Sequence, residues 1–427
     1  MSDNKVLGRS EITISCLPNE RVECDRTIML FDLSIRGHHP SYIQHLIDYW
    51  CKQEIPGCLQ VVVSPRFLEE HADVVEFGLT QGKNRVRFTA ITPLEEAALG
   101  SRKSKVKRTL RTFQEWKLFQ QYAKALKADH CLLMYFDTCQ LPLALGAQSP
   151  CSFSGIYFRP TFHYHEFPGY APSRQDRLQQ WQEKLLLFSI RRNSRLKTLF
   201  CLDPFAVKHL GKGAGSMKAV HLPDPVQINS PLAAQVEPIR ARLEIDPGRR
   251  VFLLFGALTG RKGIYPLLDA IETLPPVLCQ KLCLLLVGES NIAAALDSRI
   301  ASICHHRPVQ IVRRYEFVPE ADVPAYFQLS DVILAPYQRH VGMSGILLWA
   351  AAAQKPVLSS DYGLMGQIVR HYNLGMTVDS TLPDEISKGL TYFLTESAEG
   401  VCDRTKMKAF AAENSADRFA DIIFQNL

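Results

Sequence analysis

Short apolar runs alternate with helix-like stretches along almost the whole chain, and this pattern constrains the fold more than any other feature of the sequence. The predicted strands of the first half lie at 27–33, 59–63, 85–91, 131–136, 154–158, 198–202 and 217–222, and those of the second half at 251–255, 282–288, 309–313, 331–337 and 356–360. Most of these runs lack a polar face. Strands that are apolar on both sides belong in parallel sheets whose two faces are covered by helices.

The 427 residues are too many for one ordinary core, so the pattern predicts two α/β domains. The proline-containing segment PDPVQINSP separates the two halves. We predict a Rossmann-like domain at 1–222, a linker at 223–236, a second Rossmann-like domain at 237–400 and a helical segment at 401–427. Such domains are expected to face each other across a cleft, because ligands of open parallel sheets bind beyond the carboxyl ends of the strands.

The sequence also indicates where the protein works. The longest apolar run, Gly345–Ala353, has nine residues, whereas a spanning helix needs about 20, and the first residues lack the apolar core of a secretory signal. The twelve cysteines form no Cys-x-x-Cys pair, which favours reduced thiols over a disulfide framework and predicts no metal site. We therefore expect a cytoplasmic protein, with peripheral contact at the inner face of a membrane as an option.

The segment FGALTGRKG, at 255–263, carries the strongest local signal. A buried strand ends at Phe255, and Gly256, Arg261 and Lys262 lie in the turn before an apolar-faced helix. Arginine binds phosphate oxygens in bidentate fashion and lysine adds a point charge, so the turn is a candidate diphosphate clamp. The alternative is an ordinary solvated basic turn.

A second signal lies in the segment VGMSGILLWAAAA, at 341–353. Gly342 and Met343 lead to Ser344, a candidate N-cap of a helix that begins at Gly345. Free backbone amides at a helix start form an anion site, which would grip the same diphosphate as the basic turn. The alternative is an alanine-rich packing helix with a simple cap.

A third signal is the strand-to-helix turn IRGHHPSYIQHL, at 35–46. Gly37 would let the backbone approach a ligand closely, with His38 beside it. The alternative is a first helix capped by Ser41, with exposed histidines.

Three segments together, FGALTGRKG, YEFVPEADVPAYFQLSDVILAPY and GMSGILLWAAAAQKPVLSSDYG, resemble the C-terminal domain of family 4 glycosyltransferases with the glycosyltransferase B fold. The resemblance implies a metal-independent, retaining transferase that uses a nucleotide-sugar as substrate, needs no cofactor and acts in polysaccharide or glycolipid synthesis. It implies that Arg261 and Lys262 bind the donor diphosphate, that the backbone at Phe317 and Val318 lies near the base, and that the amides of Met343–Gly345 face phosphate or sugar. The first domain would hold the acceptor.

The sequence departs from the family pattern at its acidic positions. The family has two glutamates eight positions apart, one for the donor hexose and one for the ribose, and here Val341 and Trp349 align with them. A later glutamate aligns with Gln367. The lost glutamates leave open a non-catalytic glycosyltransferase-like scaffold in polysaccharide or glycolipid assembly. A nucleotide-sugar epimerase built on the same fold is a further alternative.

Two further residues are candidates for catalysis. The family carries a histidine near the sugar beyond a comparable strand, and the resemblance assigns His163 to this place, with His165 as its rival. Asp137 follows the strand CLLMYF and would orient sugar or acceptor, and Arg159 would meet an anionic group. The alternative is that His163 and Asp137 are merely polar residues at strand ends.

Two basic clusters complete the candidates. Residues 102–111 contain six cations and 191–197 a second group, which could attract an anionic membrane surface or simply be solvated. Aromatic residues are not interleaved with these cations, so nucleic acid is not an expected partner.

Overall fold

The computed structural model describes residues 24–99, 104–167, 170–211, 217–225, 233–319 and 322–427. The chain forms two compact units. Unit 1 comprises the described parts of Met1–Pro160, Leu178–Leu222 and Phe419–Leu427, and unit 2 those of Thr161–Arg177 and Pro223–Arg418.

Unit 1 is built on a seven-stranded parallel sheet of order β3-β2-β1-β4-β5-β6-β7. The strands are β1 Thr27–Phe31, β2 Cys58–Val63, β3 Val86–Ala90, β4 His130–Leu133, β5 Ser152–Tyr157, β6 Leu196–Cys201 and β7 Lys218–His221. The helices are α1 His39–Lys52, α2 Pro65–Glu70, α3 Ala72–Gly82, α4 Pro93–Ala98, α5 Lys105–Ala125, α6 Gln140–Ala144, α7 Arg174–Ile190 and α8 Pro204–Leu210. Helix α7 belongs to unit 1 from Leu178 onwards. The seven predicted strands of the first half are all present.

The first helix shows how the sequence builds the core of unit 1. Ile43, Leu46, Ile47 and Trp50 of α1 follow helical spacing and are completely buried. They share a core with the inner face of the sheet. The predicted apolar face of this helix is therefore confirmed.

Unit 2 contains a six-stranded parallel sheet of order β10-β9-β8-β11-β12-β13. The strands are β8 Arg250–Phe255, β9 Leu282–Val287, β10 Gln310–Arg314, β11 Val332–Ala335, β12 Val357–Ser360 and β13 Gly375–Val378. The helices are α9 Ala233–Arg242, α10 Ile264–Thr273, α11 Pro276–Cys279, α12 Ala293–His306, α13 Val323–Leu329, α14 Gly345–Ala352, α15 Gly363–Tyr372, α16 Pro383–Thr395 and α17 Arg404–Glu413. The two-sheet α/β class predicted from the sequence is confirmed.

The edge strand β13 escaped the sequence analysis. It is four residues long, three of them only half-buried, so it lacks the continuous apolar run of the other strands. Gly375 has φ +155°, and a Cβ there would lie 2.1 Å from the carbonyl oxygen of Val357. Glycine is required at this position because the neighbouring strand approaches so closely.

Two segments of the chain do not follow the order of the predicted domains. The segment Thr161–Arg177 belongs to unit 2, although the chain on both sides of it builds unit 1. The last helix, α18 Ala416–Phe424, returns to unit 1, where Phe419 packs against Tyr42 with ring centroids 4.8 Å apart. Long-range packing, not chain order, decides both assignments.

The pairing of one pair of cysteines differs from the prediction that the thiols are reduced. Cys24 and Cys58 form a disulfide, which we did not predict. The nine other described cysteines are free thiols, six of them buried. No described helix is both long and apolar enough to cross a bilayer.

A buried histidine of unit 1 should make the fold acid-sensitive. The ring of His130 lies 3.0 Å from the Ser154 hydroxyl, and burial, helped by the charges of Arg26 and Lys197, lowers its pKa to about 4. The unfolded chain, with an ordinary histidine pKa near 6.5, therefore binds more protons between pH 6.5 and 4, and stability falls as the pH falls through this window. We expect His130 to cost about 2 kcal/mol of unfolding free energy at pH 5 relative to pH 7.5.

Urea denaturation at the two pH values measures this effect. The variant His130→Gln should lose that part of the difference, whereas His306→Gln, at an exposed position, should keep it. An equal acid effect in wild type and His130→Gln would contradict the assignment.

Candidate functional site

The candidate site of unit 2 lies at the carboxyl ends of two neighbouring strands, β8 and β11. The β8–α10 turn and the β11–α14 loop leave the sheet at the same edge because parallel strands end on the same side. Gly256, directly after β8, has φ +94°, and a Cβ there would lie 3.2 Å from the Lys262 ammonium. Glycine therefore lets the turn fold back so that Lys262 reaches the strand end.

Lys262 ties the two loops together. Its half-buried ammonium donates to the carbonyl oxygen of Phe255 at 2.8 Å and to the Tyr337 hydroxyl. The same ammonium lies 4.3 Å from the centre of the Tyr337 ring, a cation–π contact. An ammonium has three donors, so one remains for a bound anion.

Arg261 is exposed, and no side-chain partner is found for its guanidinium among the residues that the structure describes. Its carbonyl oxygen accepts from the amide of Gln338 at 2.8 Å, which fixes the turn against the β11–α14 loop. The backbone of Arg261 is therefore fixed and its guanidinium is open to an anion, as an anion clamp requires.

The start of α14 offers backbone amides. The amides of Met343, Ser344 and Gly345 donate to no acceptor within the described part of the chain, and the positive end of the helix dipole lies behind them. Ser344 occupies the N-cap position, but its side chain makes no capping bond and lies 3.5 Å from the Tyr337 hydroxyl. The predicted side-chain cap is thus wrong.

The amide of Gly342 is already used. It donates to the hydroxyl of Tyr164 at 3.1 Å, and both residues are buried. Gly342 therefore serves to hold the loop in place, with φ +99°.

Several side chains of this site were missed by the sequence analysis. The Ser380 hydroxyl donates to the carbonyl oxygen of Tyr337 and lies 3.0 Å from the Ser360 hydroxyl. The Gln338 amide group donates to the carbonyl oxygen of Ser380 at 2.7 Å. The available signal was positional, since each of these polar residues comes at or just after the end of a strand.

The segment Thr161–Arg177 packs onto the β11–α14 loop within unit 2. Besides Tyr164, it contributes Asp176, whose carboxylate pairs with Arg339 at 3.0 Å. The Arg339 guanidinium also lies over the Tyr362 ring, 5.3 Å from its centre. A segment far away in the sequence thus braces the loop that carries the free amides.

Replacing Tyr164 with phenylalanine should loosen this brace. The change leaves the buried Gly342 amide without its acceptor, which costs about 1–3 kcal/mol. We expect unit 2 to unfold at lower urea concentration, with weaker anion binding at the loop. Tyr392→Phe removes a long bond to the exposed Ser397 carbonyl and should change little. Equal stability of the two variants would argue against the brace.

The two candidate histidines have different surroundings. His163 is 1% exposed and lies among the rings of Phe162, Tyr164 and Phe167, each about 5 Å away. His165 is exposed. Both belong to the segment that packs in unit 2.

The three positions that align with the family's glutamates hold no acidic side chain. Trp349 of α14 packs against Phe327, and Val341 and Gln367 are half-buried. Two carboxylates do follow neighbouring strands at this edge, Asp361 after β12 and Asp379 after β13. Burial, followed by the charge of Asp379, raises the pKa of Asp361.

The predicted base-binding residues follow β10. Phe317 is 73% exposed and Val318 half-buried. An exposed aromatic ring at a strand end is a suitable stacking surface for a planar ligand.

In unit 1, Gly37 has φ +77° and open space around it. His38 is exposed and stacks against His39 and Phe158, both with ring centroids 4.8 Å away. His39 itself lies 2.6 Å from the buried Asp32 carboxylate. This buried acid–histidine pair was not singled out from the sequence.

In unit 1, the Asp137 carboxylate bonds to the backbone that follows β5. Its carboxylate accepts from the amides of Phe158 at 2.9 Å and Arg159 at 3.2 Å. Burial raises its pKa, while the neighbouring Arg159 guanidinium and these amides oppose the rise. The geometry is that of a carboxylate that fixes the end of β5.

The comparisons with known proteins agree with this architecture. Residues 235–414, somewhat less than half of the chain, match the family model described as glycosyl transferases group 1. No curated protein matches the sequence. Among solved structures, the Anabaena protein HepE in complex with UDP and glucose matches with a TM-score of 0.61 at 14% identity, over 94% of this chain and 98% of that chain.

Two further structures have the same fold. Sucrose-phosphate synthase from Thermosynechococcus elongatus matches with a TM-score of 0.65 at 16% identity, over 94% of this chain and 98% of that chain. A UDP-forming trehalose-phosphate synthase from Burkholderia xenovorans matches with a TM-score of 0.63 at 12% identity, over 94% and 99%. The fold is glycosyltransferase B, and the family match in unit 2 supports a glycosyltransferase enzyme.

Proposed function

We propose that this glycosyltransferase moves a sugar from a nucleotide diphosphate donor held by unit 2. One arrangement carries the proposal: an open guanidinium and an ammonium on the β8–α10 turn lie at the strand edge from which the loop with three free amides also emerges. The matched family region includes all of these residues. The HepE structure holds UDP, so uridine is the first base to test.

The roles follow from the contacts. Arg261 binds diphosphate oxygens in bidentate fashion, and Lys262 uses its remaining donor on the same group. The amides of Met343, Ser344 and Gly345 face the phosphate or sugar from the other loop. Together they stabilise the negative charge that develops as the nucleoside diphosphate leaves, which is the main electrostatic task of such a transfer.

The remaining roles are proposals that rest on the family resemblance. Phe317 and Val318 would contact the base, Gly256 and Gly342 would shape the two loops, and metal-independent, retaining transfer would follow. Asp361 is our candidate for accepting a hydrogen bond from a sugar or ribose hydroxyl. A carboxylate at this strand edge could make the contact that the family's glutamates make and that Val341 and Trp349 lack.

Unit 1 is proposed to serve the acceptor. Gly37 and His38 of this unit remain candidates for contact with the donor, and Asp137 for orientation of sugar and acceptor. His163, which belongs to unit 2, remains a candidate for the same orienting role. The contacts of Asp137 favour an indirect, positioning role. Membrane contact through 102–111 and 191–197, and a cytoplasmic place at the inner membrane face, are proposals as well.

A non-catalytic scaffold is the second candidate function, since both aligned glutamates are absent. It predicts no release of nucleoside diphosphate from any donor.

Thermal unfolding with UDP, GDP, ADP and TDP separates the two candidates. A ligand at about a hundred times its dissociation constant stabilises the native state by about 2.7 kcal/mol, which is readily measured. Stabilisation by one nucleotide, followed by release of that nucleotide from its sugar conjugate, supports the transferase. No stabilisation by any nucleotide and no release would leave the scaffold.

A further inference from the structure

Several large apolar side chains of helix α7 are exposed to solvent. Four of these side chains are between 49% and 59% exposed: Leu178, Trp181, Leu185 and Phe188. Their spacing of three, four and three residues places them on one stripe of the helix. We call these four residues the α7 stripe.

The opposite face of α7 is turned inward and is partly polar. Gln180 and Glu183 are 7% and 8% exposed, and the Glu183 carboxylate accepts a hydrogen bond from the buried Tyr157 hydroxyl. Leu187 and Ile190 of the same face are buried as well, so α7 packs inward through two apolar and two polar side chains. The exposed apolar face is therefore a feature of this helix that the packing of unit 1 does not explain.

The exposed charged side chains between 178 and 197 have a single sign. Between 178 and 197 the chain has five cations, Lys184, Arg191, Arg192, Arg195 and Lys197, and one acid, the buried Glu183. The Arg192 guanidinium lies over the Phe188 ring, 4.5 Å from its centre. The charged side chains exposed between Leu178 and Lys197 are thus all cationic, and they lie beside the apolar stripe among a few uncharged polar residues.

Neighbouring elements of unit 1 extend this surface. On α5, Val106, Leu110 and Phe113 are 68%, 58% and 40% exposed, and Lys107 and Arg108 beside them are exposed as well. Leu145, which follows α6, is 70% exposed.

Hydrogen bonds hold the loop at 144–148 to both helices. The Ser189 hydroxyl of α7 donates to the carbonyl oxygen of Ala144 at 2.6 Å, and the Gln120 side chain of α5 donates to that of Gln148 at 2.5 Å. The loop that follows α6 is therefore bonded to both α5 and α7. Of the predicted basic clusters, 102–103 lie outside the described residues.

We propose that the α7 stripe, with the exposed apolar residues of α5 and Leu145, is a docking surface for an anionic lipid bilayer. Trp181 and Phe188 enter the boundary between headgroups and acyl chains, and the surrounding cations meet lipid phosphates. Aromatic and aliphatic side chains ringed by Lys and Arg are the composition of helices that lie in a membrane interface. This inference does not rest on the proposed sugar transfer.

The charge pattern favours a bilayer over a second copy of the chain. An isologous dimer through this face would bring the same cations of both copies together without an exposed carboxylate from the 178–197 region to neutralise them. Anionic headgroups neutralise all of them, with a gain for each cation near the surface.

Vesicle co-sedimentation of the full chain tests the proposal. We expect binding to phosphatidylcholine vesicles that contain phosphatidylglycerol, weak binding to pure phosphatidylcholine, and a blue shift of tryptophan fluorescence on binding. The double variant Trp181→Ser, Phe188→Ser should bind about tenfold or more weakly. Val277→Ser is the matched control, since Val277 is 65% exposed in unit 2 and should bind as wild type.

A second variant tests the contribution of the cations to vesicle binding. Lys184→Gln with Arg192→Gln should weaken binding about fivefold for each cation and reduce its salt dependence. All positions changed are exposed, so thermal unfolding should show wild-type stability and exclude misfolding as the cause.

The outcomes that overturn the proposal are distinct. Absence of binding to anionic vesicles, or equal binding by wild type and the Trp181–Phe188 variant, refutes it. Concentration-dependent self-association that the same variant abolishes, without vesicle binding, would assign the face to a second copy of the chain.

Discussion

Replacing Arg261 with alanine is expected to lower turnover of the nucleotide-sugar donor by a hundredfold or more while leaving protein stability unchanged. A hundredfold loss in kcat/KM corresponds to about 2.7 kcal/mol of transition-state stabilisation, the usual size for one charged contact to a leaving group. The Arg261 side chain is exposed and has no described partner, so its loss removes no contact of the folded protein. Nucleoside diphosphate release measures the effect, and the nucleotide-induced thermal shift should vanish with it.

Two variants sharpen this test. Arg242→Ala removes the same charge from an exposed position on α9, before the amino end of β8, and should leave turnover unchanged. Lys262→Met should lower both turnover and stability, because the ammonium also bonds to Phe255 and Tyr337. Wild-type turnover in Arg261→Ala would refute the clamp.

Replacing Gly263 with alanine is expected to destabilise unit 2 by about 2–5 kcal/mol. Gly263 has φ +76°, which costs an L-residue about 1–2 kcal/mol. In addition, a Cβ there would lie 1.9 Å from the carbonyl oxygen of Pro336, so the β11–α14 loop would have to move, at a further cost of about 1–3 kcal/mol. The shift would also separate Arg261 from its bond to Gln338 and weaken nucleotide binding.

Gly248→Ala is the matched control for this prediction. Gly248 also belongs to unit 2 and has φ +81°, but a Cβ there would meet open space. It should cost only the conformational part, about 1–2 kcal/mol. Urea denaturation of both variants measures the difference, and equal costs would contradict the close approach of the two loops.

Much of the candidate site could be read from the sequence because it depends on local order. The run VFLLF followed by Gly256, Arg261 and Lys262 predicts a strand, a turn and cations at a strand end, and the structure places these residues there. The start of α14 at Gly345 was predicted in the same way. The bond of Lys262 to Tyr337 was not, since the two residues are 75 positions apart and meet only when β8 and β11 pair.

Local patterns also failed where a side chain had two possible partners. Ser344 stands at the N-cap, as predicted, yet its hydroxyl lies near Tyr337 and not near its own helix. Sequence gives the position of a capping residue, whereas its rotamer depends on what the fold brings next to it.

The sequence by itself determined the two parallel sheets, the buried face of α1 and the cationic turn after β8, because alternating apolar runs and strand-end residues express their structure locally. Tertiary structure alone decided that Thr161–Arg177 braces the loop of unit 2 through Tyr164, that α18 completes the core of unit 1, and that α7 turns Gln180 and Glu183 inward and its apolar stripe outward. These features depend on contacts between residues far apart in the chain. Such contacts form only where packing satisfies buried polar groups such as Glu183 and the Gly342 amide, and no local periodicity encodes that requirement.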